Sequence, residues 1–118
     1  MKVLASSLLS LFSVFGYSQP VIRAKADTIE FKNLFEATMK PGVSCYRIPA
    51  MVTAQNGDLI VAIDERVPSC EDLKWNNDIN IVIRRSSDNG ATWTDIETVV
   101  DYPIGKSASD PSMIVDSV

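Results

Sequence analysis

Four short runs of apolar residues stand out between Arg47 and Val99, each bounded by turn-forming residues. The first, Arg47 to Thr53, and the second, Asp58 to Glu65, are joined by Gln55-Asn56-Gly57. Asn-Gly between two apolar runs is the strongest short-range hairpin signal, because both positions tolerate a positive φ. The third run, Asp78 to Arg85, opens in strict alternation (Asp-Ile-Asn-Ile), which is the period of a strand. The fourth, Trp93 to Val99, follows across the tight turn Asp88-Asn89-Gly90. The pattern predicts four antiparallel strands in up-and-down order, forming one all-β sheet. A further strand at Thr28 to Phe31 and a turn at Lys40-Pro41-Gly42 precede them.

Antiparallel order fixes which loops share an edge. Arg47 begins strand one, Arg66 ends strand two, and the loop Val67 to Asn77 leads into strand three, so Arg47, Arg66 and Asp72 are expected on one rim. The Asn56-Gly57 and Asp88-Gly90 turns fall on the other. Pro49 should limit Arg47 to extended geometry and withhold a backbone donor, placing the guanidinium at the start of a strand rather than in mid-sheet. An arginine held there can grip a carboxylate through two parallel N–H bonds. Ser109 to Val115 then repeats the form of Tyr46 to Val52: a charged residue, a nearby proline, then an apolar strand. This predicts the first strand of a second sheet, and if sheets repeat radially Asp110 returns to the rim of Arg47. The chain stops on Met113 to Val118, which reads as a strand in progress. The expectation is therefore a piece of a longer protein, in which Ile79, Ile81, Ile83, Met113 and Val115 would lack neighbours.

Composition narrows the function classes. The 118 residues carry a formal net charge of −4 with no basic patch, which argues against nucleic acid or an anionic membrane surface as partner. There is no histidine, so Ser-His-Asp and Cys-His catalysis and His-ligated metals are excluded within this stretch. Acid–base work falls to carboxylates, Tyr or Lys. Residues 1–18, with Lys2 followed by an apolar run to Tyr17 that serines interrupt, have the shape of a secretory signal cleaved before Gln19. That run is too short and serine-rich for a membrane span, so an exported chain without a transmembrane segment is expected. Cys45 and Cys70 could then form a disulfide or stay as two buried thiols. The spacing of Asp64, Glu71, Asp72 and Asp78 fits no EF-hand loop, and no metal or cofactor is expected. Taken singly, Asp72 reads as a solvated loop acid, Arg66 as a surface partner of Asp64 or Glu65, Arg84 and Arg85 as one packed and one exposed cation, and Tyr46 as core.

Two motifs change that balance. Ser86-Ser87-Asp88-Asn89-Gly90-Ala91-Thr92-Trp93 matches the Asp-box pattern Ser/Thr-X-Asp-X-Gly-X-Thr-Trp at every defined position, and with the upstream Arg47-Ile48-Pro49 it resembles the bacterial sialidases. The resemblance covers roughly Phe35 to Val118 and implies a six-bladed β-propeller. Residues 19–44 would be a lead-in segment and 45–118 the first blade and the start of the second. It implies an exo-α-sialidase acting with retention on sialylated glycoconjugates, with Arg47 the first of three arginines on the sugar carboxylate. Asp72 would be the acid/base, and Arg66 and Asp110 would line the pocket at the sugar's 4-hydroxyl. Ser86, Asp88, Gly90, Thr92 and Trp93 would be structural. Cys45 and Cys70 each sit two residues before a rim residue, Arg47 and Asp72, so a bridge between them could pin the acid loop to Arg47. Sialidases use a Tyr nucleophile instead of a second carboxylate; that Tyr, its Glu partner and the other two arginines come from later blades, and this stretch alone should be inactive. A trans-sialidase is a near variant. A non-enzymatic Asp-box propeller that binds glycan or protein is the reading from another class.

Overall fold

The computed structural model describes residues 31–116, and the leader at 1–18 and the strand read at Thr28 to Phe31, apart from Phe31, lie outside them. Four strands, β1 (Cys45–Thr53), β2 (Leu59–Arg66), β3 (Ile79–Ser86) and β4 (Glu97–Val100), form one antiparallel sheet in the order β1-β2-β3-β4. This is the expected meander, a pattern that suits one blade of a β-propeller. The β1–β2 connection closes as an Asn-Gly turn: Gly57 has φ +90 and the Asp58 amide donates to Asn56 Oδ1 at 3.1 Å. A short 3-10 turn at Ala37–Met39 precedes the sheet.

Register decides what each face carries. β2 and β3 pair without interruption from Leu59↔Ser86 to Arg66↔Ile79. Directly opposed residues share a face, so Ala62, Asp64 and Arg66 stand on the same side as Ile83, Ile81 and Ile79. That side carries the core of Ala62, Ile81 and Ile83, packed by Val100, Ala108 and Met113. Ile79, Ile81 and Ile83, expected from the sequence to lack neighbours, are all buried, because the chain after β4 folds back across them. Ala108 N donates to Ile79 O at 2.9 Å, and Ser107 Oγ accepts from Ile79 N at 3.1 Å.

Three expectations need correction. The proline's constraint falls on Ile48, the residue directly before it, not on Arg47. Ile48 sits at φ +59 and the ladder steps from Arg47↔Asp64 to Ala50↔Ala62, so Ile48 and Pro49 together oppose a single residue. Pro49 thus lies at a β-bulge inside β1, one of the few places a sheet tolerates it. The fourth strand is shorter than read: the carbonyls of Trp93 and Thr94 accept from the Arg84 side chain at 3.3 and 2.6 Å, and the regular ladder holds only Glu97–Val100. Ser109 to Val115 forms no strand among the described residues. It has no partner ladder there, Asp110 turns at φ +60, and the Ile114 side chain is exposed.

Candidate active site

The bulge, the C-terminal end of β2 and the 67–77 loop bring three of the expected residues together. Arg47 and Arg66 lie on the same face because Arg47 opposes Asp64 and Cys45 opposes Arg66. A disulfide joins Cys45 to Cys70, with Cα atoms 5.7 Å apart, which resolves the two open readings of the cysteines in favour of a bridge. The Cys70 carbonyl accepts from both arginines, Arg47 Nη1 and Arg66 Nη1, each at 3.2 Å. Asp72 is the shared carboxylate: its Oδ1 lies 2.6 Å from Arg66 Nη1 and 3.6 Å from Arg47 Nη1. The loop itself is held from below. The buried Asn76 donates from Nδ2 to Ser69 O at 2.7 Å, and the amides of Trp75 and Asn76 both donate to Asp72 O, at 2.7 and 2.9 Å.

Exposure separates the members. Asp72 is 69% exposed and Arg47 44%, whereas the Arg66 side chain is 1% exposed. Arg66 is therefore no surface cation. Its Nη1 also donates to Glu71 O at 2.8 Å, and its Nη2 to Asp64 Oδ2 at 3.0 Å. The expected partner Asp64 is real, but the pair sits inside the protein, where an ion survives only if it is paired and hydrogen-bonded. Burial by itself would lower the Arg66 pKa, but the hydrogen bonds to Asp72 and Asp64 outweigh it and raise it. The Arg66 hydrogen bond and charge, with a smaller effect from Arg47, hold the Asp72 carboxyl below the usual carboxylate range. Asp72 is thus held as a carboxylate anion by its two arginines. Asp110 reaches this rim through its backbone, donating from N to Asp64 Oδ1 at 2.9 Å, and Asp110 itself is exposed.

No family model matches the chain. A sialidase of Micromonospora viridifaciens is 40% identical over 81 residues, 65% of this chain and 12% of that protein. Sialidase B of Streptococcus pneumoniae is 30% identical over 90 residues, 73% of this chain and 13% of that protein. Among solved structures, a leech intramolecular trans-sialidase superposes with a TM-score of 0.56 at 30% identity, covering 70% of this chain and 12% of that one. The chain resembles the bacterial sialidases. It spans about an eighth of the length of the curated relatives it matches.

Away from the rim, the sialidase-like sheet carries two further polar clusters. At the opposite end, Asp88 Oδ1 accepts from Ser86 Oγ and Thr92 N, both at 2.8 Å, while its Oδ2 accepts from Thr92 Oγ1 at 2.5 Å. Gly90, at φ +88, donates from N to Ser86 Oγ at 2.8 Å. All five residues read as the box thus join one turn, and the Thr92 hydroxyl and amide and the Ser86 hydroxyl pull the Asp88 carboxyl down to about 2. The turn consumes its own polar groups, which suits a structural part.

The second cluster lies on the other face of the sheet, where side chains next to Arg47 and Arg66 must point. Glu65, 1% exposed, accepts from Lys40 Nζ at 2.7 Å and from Tyr46 OH at 3.3 Å. Burial, then the Glu65 charge and hydrogen bond, push the Tyr46 hydroxyl up to about 12, and its ring packs on Phe35 with centroids 5.3 Å apart. Tyr46 is thus held neutral on the face away from Asp72, and it is half-buried beside Glu65 and Phe35 rather than in the core where the sequence reading put it. Arg84 donates to the carbonyls of Leu34, Trp93 and Thr94, and Arg85 is exposed. Among the described residues no group of three His, Cys, Asp or Glu side chains could hold a metal.

Sequence reasoning missed Asp64 as an organiser and Ser109, whose Oγ donates to Asp64 Oδ2 at 2.6 Å. The signal was available: Leu59-Ile60-Val61-Ala62-Ile63 is an unbroken apolar strand that ends in three charges, Asp64-Glu65-Arg66. A strand buried on both faces can end that way only if the charges are paired.

Proposed function

We propose that this chain is the leading part of an exported exo-α-sialidase with a six-bladed propeller, and that it supplies one carboxylate-binding arginine and the acid/base of the site. The observation that supports this most is Asp72 at the rim, exposed and within reach of both Arg47 and Arg66. A sialoside presents a carboxylate on the anomeric carbon, and its ring gains positive charge as the glycosidic bond breaks. Arg47, half exposed beside the bulge, offers Nη donors to that carboxylate. Asp72 protonates the leaving oxygen and later deprotonates the attacking water. Arg66, enclosed by protein acceptors, sets Asp72 in place, and the Asp110 carboxylate faces a sugar hydroxyl.

The depressed pKa of Asp72 bears on this mechanism. The free carboxyl is ionised above acid pH, so the proton must be acquired as substrate binds. A sugar carboxylate arriving at Arg47 adds a like charge beside Asp72 and offsets a cation, and both effects raise its pKa. Asp72 is then closest to neutral in the complex, where an acid is needed. A tyrosine nucleophile with a glutamate partner, carried on later blades, completes a retaining displacement.

The reading is tested by giving the complete protein an aryl α-sialoside and following the released sugar by proton NMR. The first-formed product should be the α-anomer of free sialic acid. A complete protein that binds sialosides but releases no sugar would leave a binding propeller instead.

A further inference from the structure

The contacts of the rim converge on one side chain that is shut off from solvent. Asp64 is 0% exposed. Its Oδ2 accepts from Arg66 Nη2 at 3.0 Å and from Ser109 Oγ at 2.6 Å, and its Oδ1 accepts from Asp110 N at 2.9 Å. We propose that Asp64 is a positioning residue that divides the Arg66 guanidinium between itself and Asp72 and ties the Ser109–Asp110 turn to the same rim.

The division is visible in the nitrogens. Arg66 Nη1 serves the acid loop through Cys70 O, Glu71 O and Asp72, Nη2 serves Asp64, and the buried Nε has no partner. A guanidinium with an unpaired buried N–H is held only by what its two Nη groups grip. Without the Asp64 charge, Arg66 would have Asp72 as its one counter-ion and would be free to turn toward it. The second link is backbone. Asp110 stands at φ +60, sparsely populated for a non-glycine residue, and its N–H is fixed by Asp64 Oδ1. One carboxylate therefore sets the direction of Asp72 and the turn that presents Asp110.

The kinetic consequence, which rests on the sialidase reading although the geometry does not, is a change in when Asp72 is protonated. The charged groups around Asp72 are Arg66 and Asp64 from β2, Arg47 from β1, Glu71 and Lys74 on its own loop, and Asp110 on the returning segment. In Asp64→Asn the whole Arg66 charge falls on Asp72, so the acid loses its proton at lower pH. For the complete protein on a natural sialoside, Asp64→Asn should lower kcat/KM by about 100-fold, as a misplaced catalytic group does, and move the alkaline limb of its pH profile downward. Ser109→Ala, which spares the Asp64 charge but removes one of its hydrogen bonds, should cost about fivefold to tenfold with the limb in place. Folded Asp64→Asn with kcat/KM within threefold of wild type and an unmoved limb would overturn the proposal. If Asp64→Asn does not fold, full activity in Ser109→Ala overturns it.

A readout without substrate separates this from the sialidase reading itself. Nitrogen-15 NMR of the wild-type Arg66 guanidinium should show two distinct, slowly rotating Nη groups, one for each carboxylate. A single averaged Nη signal would refute the division by Asp64 even in an active enzyme. A wild-type protein inert toward sialosides, with the two signals present, would refute the sialidase reading and leave the positioning intact.

Discussion

Removing the Cys45–Cys70 bridge separates what holds the acid loop from what limits the unfolded chain. The cysteines are 25 residues apart, and closing a loop of that length removes unfolded-state entropy equivalent to about 3.5 kcal/mol at 25 °C in the chain-entropy model. The folded loop has other anchors. Arg66 donates to Cys70 O, Glu71 O and Asp72, Asn76 donates to Ser69 O, and the Ser44 hydroxyl donates to Pro68 O, all without the sulfurs. Cys45→Ala/Cys70→Ala should therefore lose stability while keeping the loop docked. Denaturant slopes grow with the surface exposed, so for the complete protein, above the about 1–3 kcal/mol/M of small domains, the urea midpoint should fall by up to about 1 M. Tryptophan fluorescence is a suitable probe, because Trp75 lies on the acid loop and Trp93 in the far turn. Activity at low denaturant should drop less than about tenfold. Wild type in reductant should follow the double variant. A midpoint shift below about 0.3 M would refute the entropic argument, and a thousandfold loss of activity without loss of stability would show that the sulfurs alone hold the loop.

Further outcomes follow from the same geometry. Arg47→Lys should lower kcat/KM by at least about 10-fold, close to Arg47→Ala, because an ammonium cannot copy a bidentate guanidinium; near wild-type efficiency in the lysine variant would remove Arg47 as a carboxylate clamp. Asp88, with a folded pKa of about 2 below its ordinary value, contributes stability that is present above the unfolded pKa and lost as pH falls through about 2. The stability gap between wild type and Asp88→Asn should thus narrow as pH drops from about 4 to about 2, and a gap that stays constant in acid unfolding would contradict it. If bound substrate raises the Asp72 pKa as proposed, the alkaline limb of kcat should lie at higher pH than that of kcat/KM; coincident limbs would count against protonation on binding.

Much of the fold was legible because the turn chemistry was explicit. Asn56-Gly57 and Asp88-Asn89-Gly90 set two of the connections and hence which residues share a rim, so Arg47, Arg66 and Asp72 could be grouped from spacing alone. Ile48 was not legible: a β-branched residue before proline favours extended backbone, and only the sheet register shows that it takes φ +59. The burial of Arg66 was hidden for a related reason, since its main partners, Asp64 and Asp72, are ordinary acids in the sequence. Ser109 to Val115 was read as a strand from its residue types, but a strand needs a neighbour to pair with, and the described residues provide none. Asp64 was read only as a surface partner of Arg66, because a charge at a strand end is more often solvated than buried.

The most direct test of Asp72 as the acid/base is the dependence of Asp72→Asn on the leaving group. Asparagine keeps the shape and the Arg66 contact but cannot give a proton. Turnover should fall by about 10²- to 10⁴-fold on a natural sialyl-oligosaccharide, whose leaving oxygen must be protonated, and far less on an aryl sialoside with an acidic phenol. Equal losses on both substrates would show that Asp72 only shapes the loop.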